Sequence, residues 1–352
     1  MENKYLKIIK YIHNFQPFEN LNEDEKNLRS KMEKSEIQTI KDLINACEYD
    51  SAQILLEKQY KKDPNNIELI DLLSDVYFNQ DNFDGAKKLI KKSINLSPNS
   101  NPEKYMTLAQ LLNNPEDSVK CYNKAISLLK EELKQKSIED NYDIKESIAS
   151  GLASIASLYM TTDLCEKNNA EEICENCIKE GLIISHNNID ILLQLSNLRI
   201  LRKRDKEAKE ILDKIMSLIN INDITNENFP DHDVLLNIAN NYAEINYYFD
   251  AIKILSVLVK IDDEDLNCWY LIAFDNYQCG NYKEAYEIIE KLFEIYNSCP
   301  SKFNSFSEVI SASEELKNNL EQRQQPLKNK NEDFLNNNEI SNDNDEDEEM
   351  QE

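Results

Sequence analysis

The residues best suited to chemistry in this sequence form a short cluster of soft metal ligands. Cys165, Cys174, Cys177 and His186 follow one another closely, and thiolates and imidazoles are ligands that zinc prefers. Cys174 and Cys177 form a Cys-x-x-Cys pair, but a second such pair is missing. Cysteine also packs well as a small apolar residue in a helical core. The pattern favours core packing over the alternative of a zinc site, so we expect neither a metal nor a cofactor.

Catalytic chemistry has little support elsewhere in the chain. The three histidines, His13, His186 and His232, do not accompany a serine or cysteine nucleophile in a recognisable motif. Only 4 of the 352 residues are glycine. Phosphate-binding loops depend on glycine, because other residues cannot let a phosphate approach the backbone so closely. We therefore expect a protein that is not an enzyme, and P-loop or Rossmann nucleotide enzymes are disfavoured.

The charge balance favours a basic partner. The sequence has 40 Lys and Arg residues against 66 Asp and Glu residues, a net charge of −26. Nucleic acids and anionic membranes bind clustered Lys and Arg, so neither is expected as a direct partner.

The first ten residues are interrupted by charges, and no apolar run reaches the roughly 18 to 20 residues that cross a bilayer. We expect neither a signal peptide nor a membrane anchor.

A period of 34 residues organises the chain. Small residues and prolines recur at this interval in four pairs: Ala52 and Ala86, Pro64 and Pro98, Cys174 and Ala208, Ala251 and Ala285. The unit resembles the tetratricopeptide repeat, a helix-turn-helix in which small residues at fixed places let helices pack closely. Extending the frame predicts seven units with these small anchor residues: Ala52, Ala86, Ser118, Cys174, Ala208, Ala251 and Ala285.

This frame predicts four regions and an all-α fold. Residues 1–34 form a helical or irregular lead-in, residues 35–304 the repeat array, residues 305–323 a capping helix, and residues 324–352 a disordered acidic tail. The array is expected to be a right-handed superhelical solenoid of about seven helix pairs. Longer intervals after Ser118 and Ala208 predict insertions, which in solenoids usually emerge as edge loops.

The predicted binding surface is the concave groove lined by the first helix of each unit. In the repeat frame its positions hold acids, one amide and aromatics: Glu68, Asp71, Asp75, Asp190, Asp233, Asn240, Glu244, Tyr270, Phe274 and Tyr277. Carboxylates attract a peptide rich in Arg and Lys, and aromatic rings stack on guanidinium groups. The simpler alternative is that these acids are solvated surface. A clamp for acidic chaperone termini, which needs Lys and Arg in the groove, is disfavoured.

A more specific resemblance lies in residues 159–185 and 188–212. These segments resemble the eukaryotic family of dedicated assembly chaperones of large-subunit ribosomal protein four. The family has a Tyr-Met-Thr-Asp-Leu-Cys run, then an Asn-Ala-Glu insertion and a later cysteine. Thr162 interrupts the run in this sequence. The counterparts here are Tyr159, Met160, Thr161, Asp163, Leu164, Cys165, Asn169, Ala170, Glu171 and Cys174. The similarity extends to residues 104–112 and 268–274, and so to most of the predicted array.

The resemblance implies a helical solenoid that captures a newly made, basic ribosomal protein of the large subunit by its basic internal loop. It implies a nuclear import factor as a further partner and residence in cytoplasm and nucleus. Eight scattered cysteines fit the reducing conditions of both compartments. A capped array predicts a monomer. The alternative is a protein-interaction scaffold subunit of a larger complex, with a zinc-dependent protein as a more distant third.

Overall fold

The computed structural model describes residues 36–135, 141–225 and 229–323. The predicted lead-in (1–34) and acidic tail (324–352) lie outside these residues. Within the described ranges the chain forms fifteen α-helices and two 3-10 helices and contains no strand. The chain divides into two compact units, Met1–Glu171 and Glu172–Glu352.

The described residues of the first unit form seven α-helices. Their bounds are α1 36–45, α2 Tyr49–Lys62, α3 Ile67–Asn79, α4 Phe83–Leu96, α5 Glu103–Leu111, α6 Pro115–Gln135 and α7 Tyr142–Thr161, followed by a 3-10 helix at Asp163–Glu166. α6 and α7 have 21 and 20 residues and are the longest of this unit. The residues inserted after Ser118 therefore lengthen helices more than they extend an edge loop, which differs from the expectation above.

The second unit continues the same pattern. Its helices are α8 Ala170–Ile184, α9 Ile189–Leu201, α10 Asp205–Leu218, α11 His232–Glu244, α12 Tyr248–Ile261, α13 Leu266–Gln278 and α14 Tyr282–Ser298, then a 3-10 helix at Pro300–Phe306 and α15 at 307–323. α15 begins two residues later than the predicted capping helix. Its Leu316 and Leu320 pack against Ala273 of α13 and Ala285 of α14, so they cover the apolar face of the last helix pair.

Several helices that come first in their pair are capped at the N-terminus by a side chain. The residue before the helix accepts a hydrogen bond from the backbone N–H three residues later, which satisfies a donor that has no partner within the helix. The capping residues are Asn66 before α3, Asn188 before α9 and Asp265 before α13. Small residues then allow close packing: all seven predicted anchors are at most 2% exposed.

The turns within the helix pairs repeat one geometry. Three residues connect α1 to α2, α3 to α4, α5 to α6, α9 to α10, α11 to α12 and α13 to α14. The middle residue of five of these turns has a positive φ: Cys47 (58°), Asp81 (58°), Lys203 (55°), Asn246 (64°) and Gly280 (81°). Cys47 and Asp81 are 34 residues apart, as are Asn246 and Gly280. The backbone therefore repeats with the period of the small residues.

Substitution at this turn position has a predictable sign. Gly280→Ala is expected to lower the free energy of unfolding by about 1 kcal/mol, since a side chain is strained at positive φ. An added Cβ would meet no atom within 4 Å, so the cost is conformational. The matched change Lys203→Gly relieves the same strain and is expected to be stabilising by about 0.5 kcal/mol. Chemical denaturation measures the free energy of unfolding of both variants. A change of the same sign in both would contradict the prediction.

None of the described helices combines the length and apolar character needed to cross a membrane.

Candidate partner-binding surface

Three predicted site residues of the first unit lie along α3. Glu68, Asp71 and Asp75 are separated by three and four residues, which places them on one helix face. The Glu68 carboxylate pairs with Lys41 Nζ of α1 at 2.7 Å, and both side chains are nearly half exposed. Glu68 is therefore at the surface, where an incoming cation competes only with a solvated ion pair.

Asp71 differs from its neighbours because it is buried. The residue is 9% exposed, and its Oδ2 accepts a hydrogen bond from Asn101 Nδ2 at 2.9 Å. Its other oxygen, Oδ1, is also buried and has no hydrogen-bond partner. Lys104 is buried close by; burial lowers the pKa of its amine, while the Asp71 charge opposes that change. Substituting Asp71 would therefore disturb the fold as well as any binding surface.

Asp75 combines solvent contact with a strongly perturbed carboxyl group. Its side chain is exposed, yet protein surrounds it closely enough to remove much of the hydration of the charge. This desolvation, together with repulsion from Glu103 and Asp71, raises the pKa of Asp75 to about 7. A cation placed beside Asp75 would relieve the repulsion, so the position favours a Lys or Arg side chain.

In the second unit the polar site residues lie on α9 and α11. Asp190 is half-buried in the first turn of α9. Asp233, Asn240 and Glu244 are exposed, and their spacing places them on one face of α11. The adjacent Asn241 instead faces α9, where its amide donates to Ser196 Oγ at 3.1 Å and to Asn197 Oδ1 at 2.5 Å.

The aromatic site residues are on α13 and are partly covered by the chain itself. The rings of Tyr270 and Phe274 lie 6.1 Å apart, and both rings and that of Tyr277 pack against the cluster that contains α15 leucines. The Arg323 guanidinium lies 5.2 Å from the Tyr277 ring and 4.9 Å from the Tyr282 ring. These rings thus hold a guanidinium group in the way expected for a partner's arginine.

Sequence reasoning missed a buried carboxyl group on the same helix. Asp275 is 2% exposed, and burial raises its pKa to about 7. The signal was present as a single acid inside the apolar stretch from Trp269 to Tyr277. The repeat period gave no reason to examine it, because neighbouring units do not carry an acid at that position: the residue 34 positions earlier is Asn241.

The cysteines of the sequence cluster have different environments. Cys165 is exposed in the first unit, while Cys174 is buried and Cys177 half-buried on α8 of the second. The burial of Cys174 agrees with a small anchor residue. Among the described residues, His232, Asp265 and Cys268 form the group whose donor atoms are close enough to share a metal ion.

Known proteins resemble this chain in repeat type, sequence and fold. A family profile described as the tetratricopeptide repeat matches residues 67–100. A Schizosaccharomyces pombe protein named probable assembly chaperone of rpl4 is 29% identical over 301 residues, which cover 82% of this chain and 88% of that protein. This chain carries a tetratricopeptide repeat and is similar to the assembly chaperones of rpl4.

A second relative of this tetratricopeptide-repeat protein carries the same name in Emericella nidulans. It is 24% identical over 229 residues, 62% of this chain and 57% of that protein, so this chain spans little more than half of its length. Among solved structures, the assembly chaperone of RpL4 (Acl4) superimposes with a TM-score of 0.62 at 20% identity, over 71% of this chain and 98% of that one.

The Cut9–Hcn1 hetero-tetramer of the APC/C gives a TM-score of 0.56 at 11% identity, over 80% of this chain and 48% of that chain. At these identities the likeness concerns the fold. The predicted all-α tetratricopeptide fold is thereby confirmed, while its handedness and its number of units stay predictions.

Proposed function

We propose that this protein is a non-catalytic chaperone for a newly made, basic ribosomal protein of the large subunit. The similarity to the S. pombe protein named probable assembly chaperone of rpl4, over 82% of this chain, carries the proposal. The names of both fungal relatives and the tetratricopeptide repeat support a role in protein binding rather than catalysis. In this role the protein keeps an aggregation-prone polycation soluble until it joins the ribosome.

The acidic first-helix faces are the proposed client contact. Glu68 and Asp75 on α3 and Asp233 and Glu244 on α11 present exposed carboxylates, and the whole chain carries a net charge of −26. A ribosomal protein away from its RNA has uncompensated Lys and Arg, so complementary charge would speed its capture and block contacts with other anions. The proposed ligand is a basic internal loop of the client.

The remaining features of the proposal concern location and assembly. The protein acts as a monomer in the cytoplasm and the nucleus, and the client complex engages a nuclear import factor. During this transfer the acidic protein neutralises basic side chains of the client. Free polycations bind RNA without selectivity, and the neutralisation prevents such binding.

Charge reversal tests the client surface. Asp75→Lys combined with Glu244→Lys is expected to weaken binding of purified rpl4 from the same species by about tenfold or more, since two attractions become repulsions. The control variant, Asp84→Lys with Glu210→Lys, changes net charge equally at exposed positions of α4 and α10, the second helices of their pairs. Titration calorimetry at two salt concentrations measures both effects.

Equal loss in both variants would reject the proposed faces and leave only a general charge effect. Unchanged binding of rpl4 in the double variant would also reject them. Recovery from cells of subunits of another complex, without any ribosomal protein, would favour the scaffold alternative.

A further inference from the structure

A group of three different metal-ligating side chains joins two helices of the second unit. His232 is the first residue of α11, Asp265 caps α13, and Cys268 lies in the first turn of α13. His232 Nε2 is 2.8 Å from Asp265 Oδ2 and 3.9 Å from Cys268 Sγ. All three donor atoms lie within 4.8 Å of one another.

We propose that His232, Asp265 and Cys268 bind a zinc ion that links the N-terminal ends of α11 and α13. An imidazole, a thiolate and a carboxylate together match the borderline-soft character of zinc, whereas magnesium and calcium avoid sulfur ligands. Ligands about 2.1 to 2.3 Å from a tetrahedral ion lie about 3.4 to 3.6 Å apart. The nitrogen–oxygen distance of 2.8 Å is shorter than this range and the nitrogen–sulfur distance of 3.9 Å is longer, so the side chains must shift for one ion to contact all three.

The surrounding contacts hold the three ligands in place. Asp265 Oδ1 accepts a hydrogen bond from the backbone N–H of Cys268 at 3.0 Å, which leaves Oδ2 directed at His232. His232 Nδ1 lies 3.5 Å from Asp233 Oδ1, the type of outer carboxylate that orients zinc-binding histidines. Cys268 is fully buried, so its thiol position is fixed by packing. The ligands thus come from a preformed arrangement.

A route for the ion is also present. A cavity of 480 Å³ borders His232 and Asp265 and is lined further by Asp262, Glu264 and Asn267. Lys302 also lines this cavity and pairs with Glu264, so Asp262 is the additional acid that would attract a cation to the entrance. Water can take the fourth coordination position that three protein ligands leave open. An ion contact at Asp265 Oδ2 would replace the contact with His232 Nε2, while Asp265 Oδ1 keeps its capping hydrogen bond from the backbone of Cys268.

Zinc binding by the full-length, metal-stripped protein tests the inference. Equilibrium dialysis with elemental analysis should find one zinc ion per chain, and zinc should raise Tm by several degrees, because it binds the folded state. Cobalt, used as a probe, should give the absorption bands of a cobalt–thiolate bond. Cys268→Ala should abolish these bands and the bound zinc, and Asp265→Asn, which retains the helix cap, should weaken zinc binding at least about tenfold.

His232→Gln keeps the test decisive if Cys268→Ala fails to fold, since the His232 side chain is 42% exposed. This variant should also lose the zinc. Cys177→Ala is the matched control, because it removes a thiol of the Cys-x-x-Cys pair on α8, and it should bind zinc normally. The proposal is overturned if the wild-type protein binds no zinc, if the zinc persists in His232→Gln, or if it disappears in Cys177→Ala.

Discussion

Asp275→Asn should stabilise the protein by about 2 kcal/mol more at pH 8 than at pH 5. In the folded protein, burial raises the pKa of the Asp275 carboxyl from its usual 3.8 to about 7. The folded state therefore binds a proton more tightly than the unfolded state. This contribution to stability is complete below about pH 4 and is lost as the pH rises through 7. An asparagine does not ionise and escapes the loss.

The single tryptophan allows a local measurement of this effect. Trp269 lies on α13 together with Asp275, so its fluorescence during urea unfolding reports on the second unit. Burial and the Asp275 charge raise the pKa of the nearby Cys279 thiol, so this thiol stays neutral across this range. Equal stabilisation by Asp275→Asn at pH 5 and pH 8 would contradict the prediction.

Binding of a basic client should strengthen by up to about tenfold between pH 6 and pH 8. Desolvation and the carboxylates of Glu103 and Asp71 raise the pKa of Asp75 to about 7 in the free protein. A Lys or Arg beside Asp75 stabilises the charged carboxylate, so client binding releases its proton. Affinity then increases as the pH rises through 7 and levels off above it. Ordinary exposed carboxylates, which ionise near pH 4, give no change in this range.

Asp75→Asn separates this effect from other titrations. The variant should bind the client with nearly constant affinity from pH 6 to pH 8, and at pH 8 more weakly than the wild type. His232 and Asp275 are competing sources of pH dependence. Burial alone would lower the pKa of His232, but hydrogen bonds with the Asp265 and Asp233 carboxylates raise it, and burial raises the pKa of Asp275 to about 7. His232→Gln and Asp275→Asn should both retain the pH dependence. If the pH dependence of client binding disappeared in His232→Gln but persisted in Asp75→Asn, the titrating group would be the histidine.

The fold followed from the sequence because the repeat imposes the same packing requirement many times. Each small anchor residue must be buried wherever a helix pair forms, and Ala208 and Ala251, like the other anchors, are buried. The period also predicted which face of α3 carries Glu68 and Asp75. Helix lengths were less predictable, since inserted residues can either lengthen a helix or enlarge a loop at similar cost. The 21-residue α6 shows the first outcome.

The environment of each site residue was not predictable from the period. Asp71 is buried because Asn101 and Lys104 of the next helix pair lie beside it, and both residues come from an irregular part of the repeat. Asp275 is buried, although its charge suggests the surface. The coverage of Tyr277 depends on Arg323, which comes after the repeats. Such contacts involve residues that do not recur, so the pattern of one unit holds no information about them.

The stacking of Arg323 on Tyr277 and Tyr282 makes this arginine an intramolecular competitor. It belongs to α15, whose leucines are packed on the same helix pair, so its guanidinium stays at a high effective concentration beside the rings. A peptide arginine must displace Arg323 to use these rings. If these rings contact the client as predicted, a ligand must gain contacts elsewhere to displace Arg323, which would favour extended chains over isolated arginines.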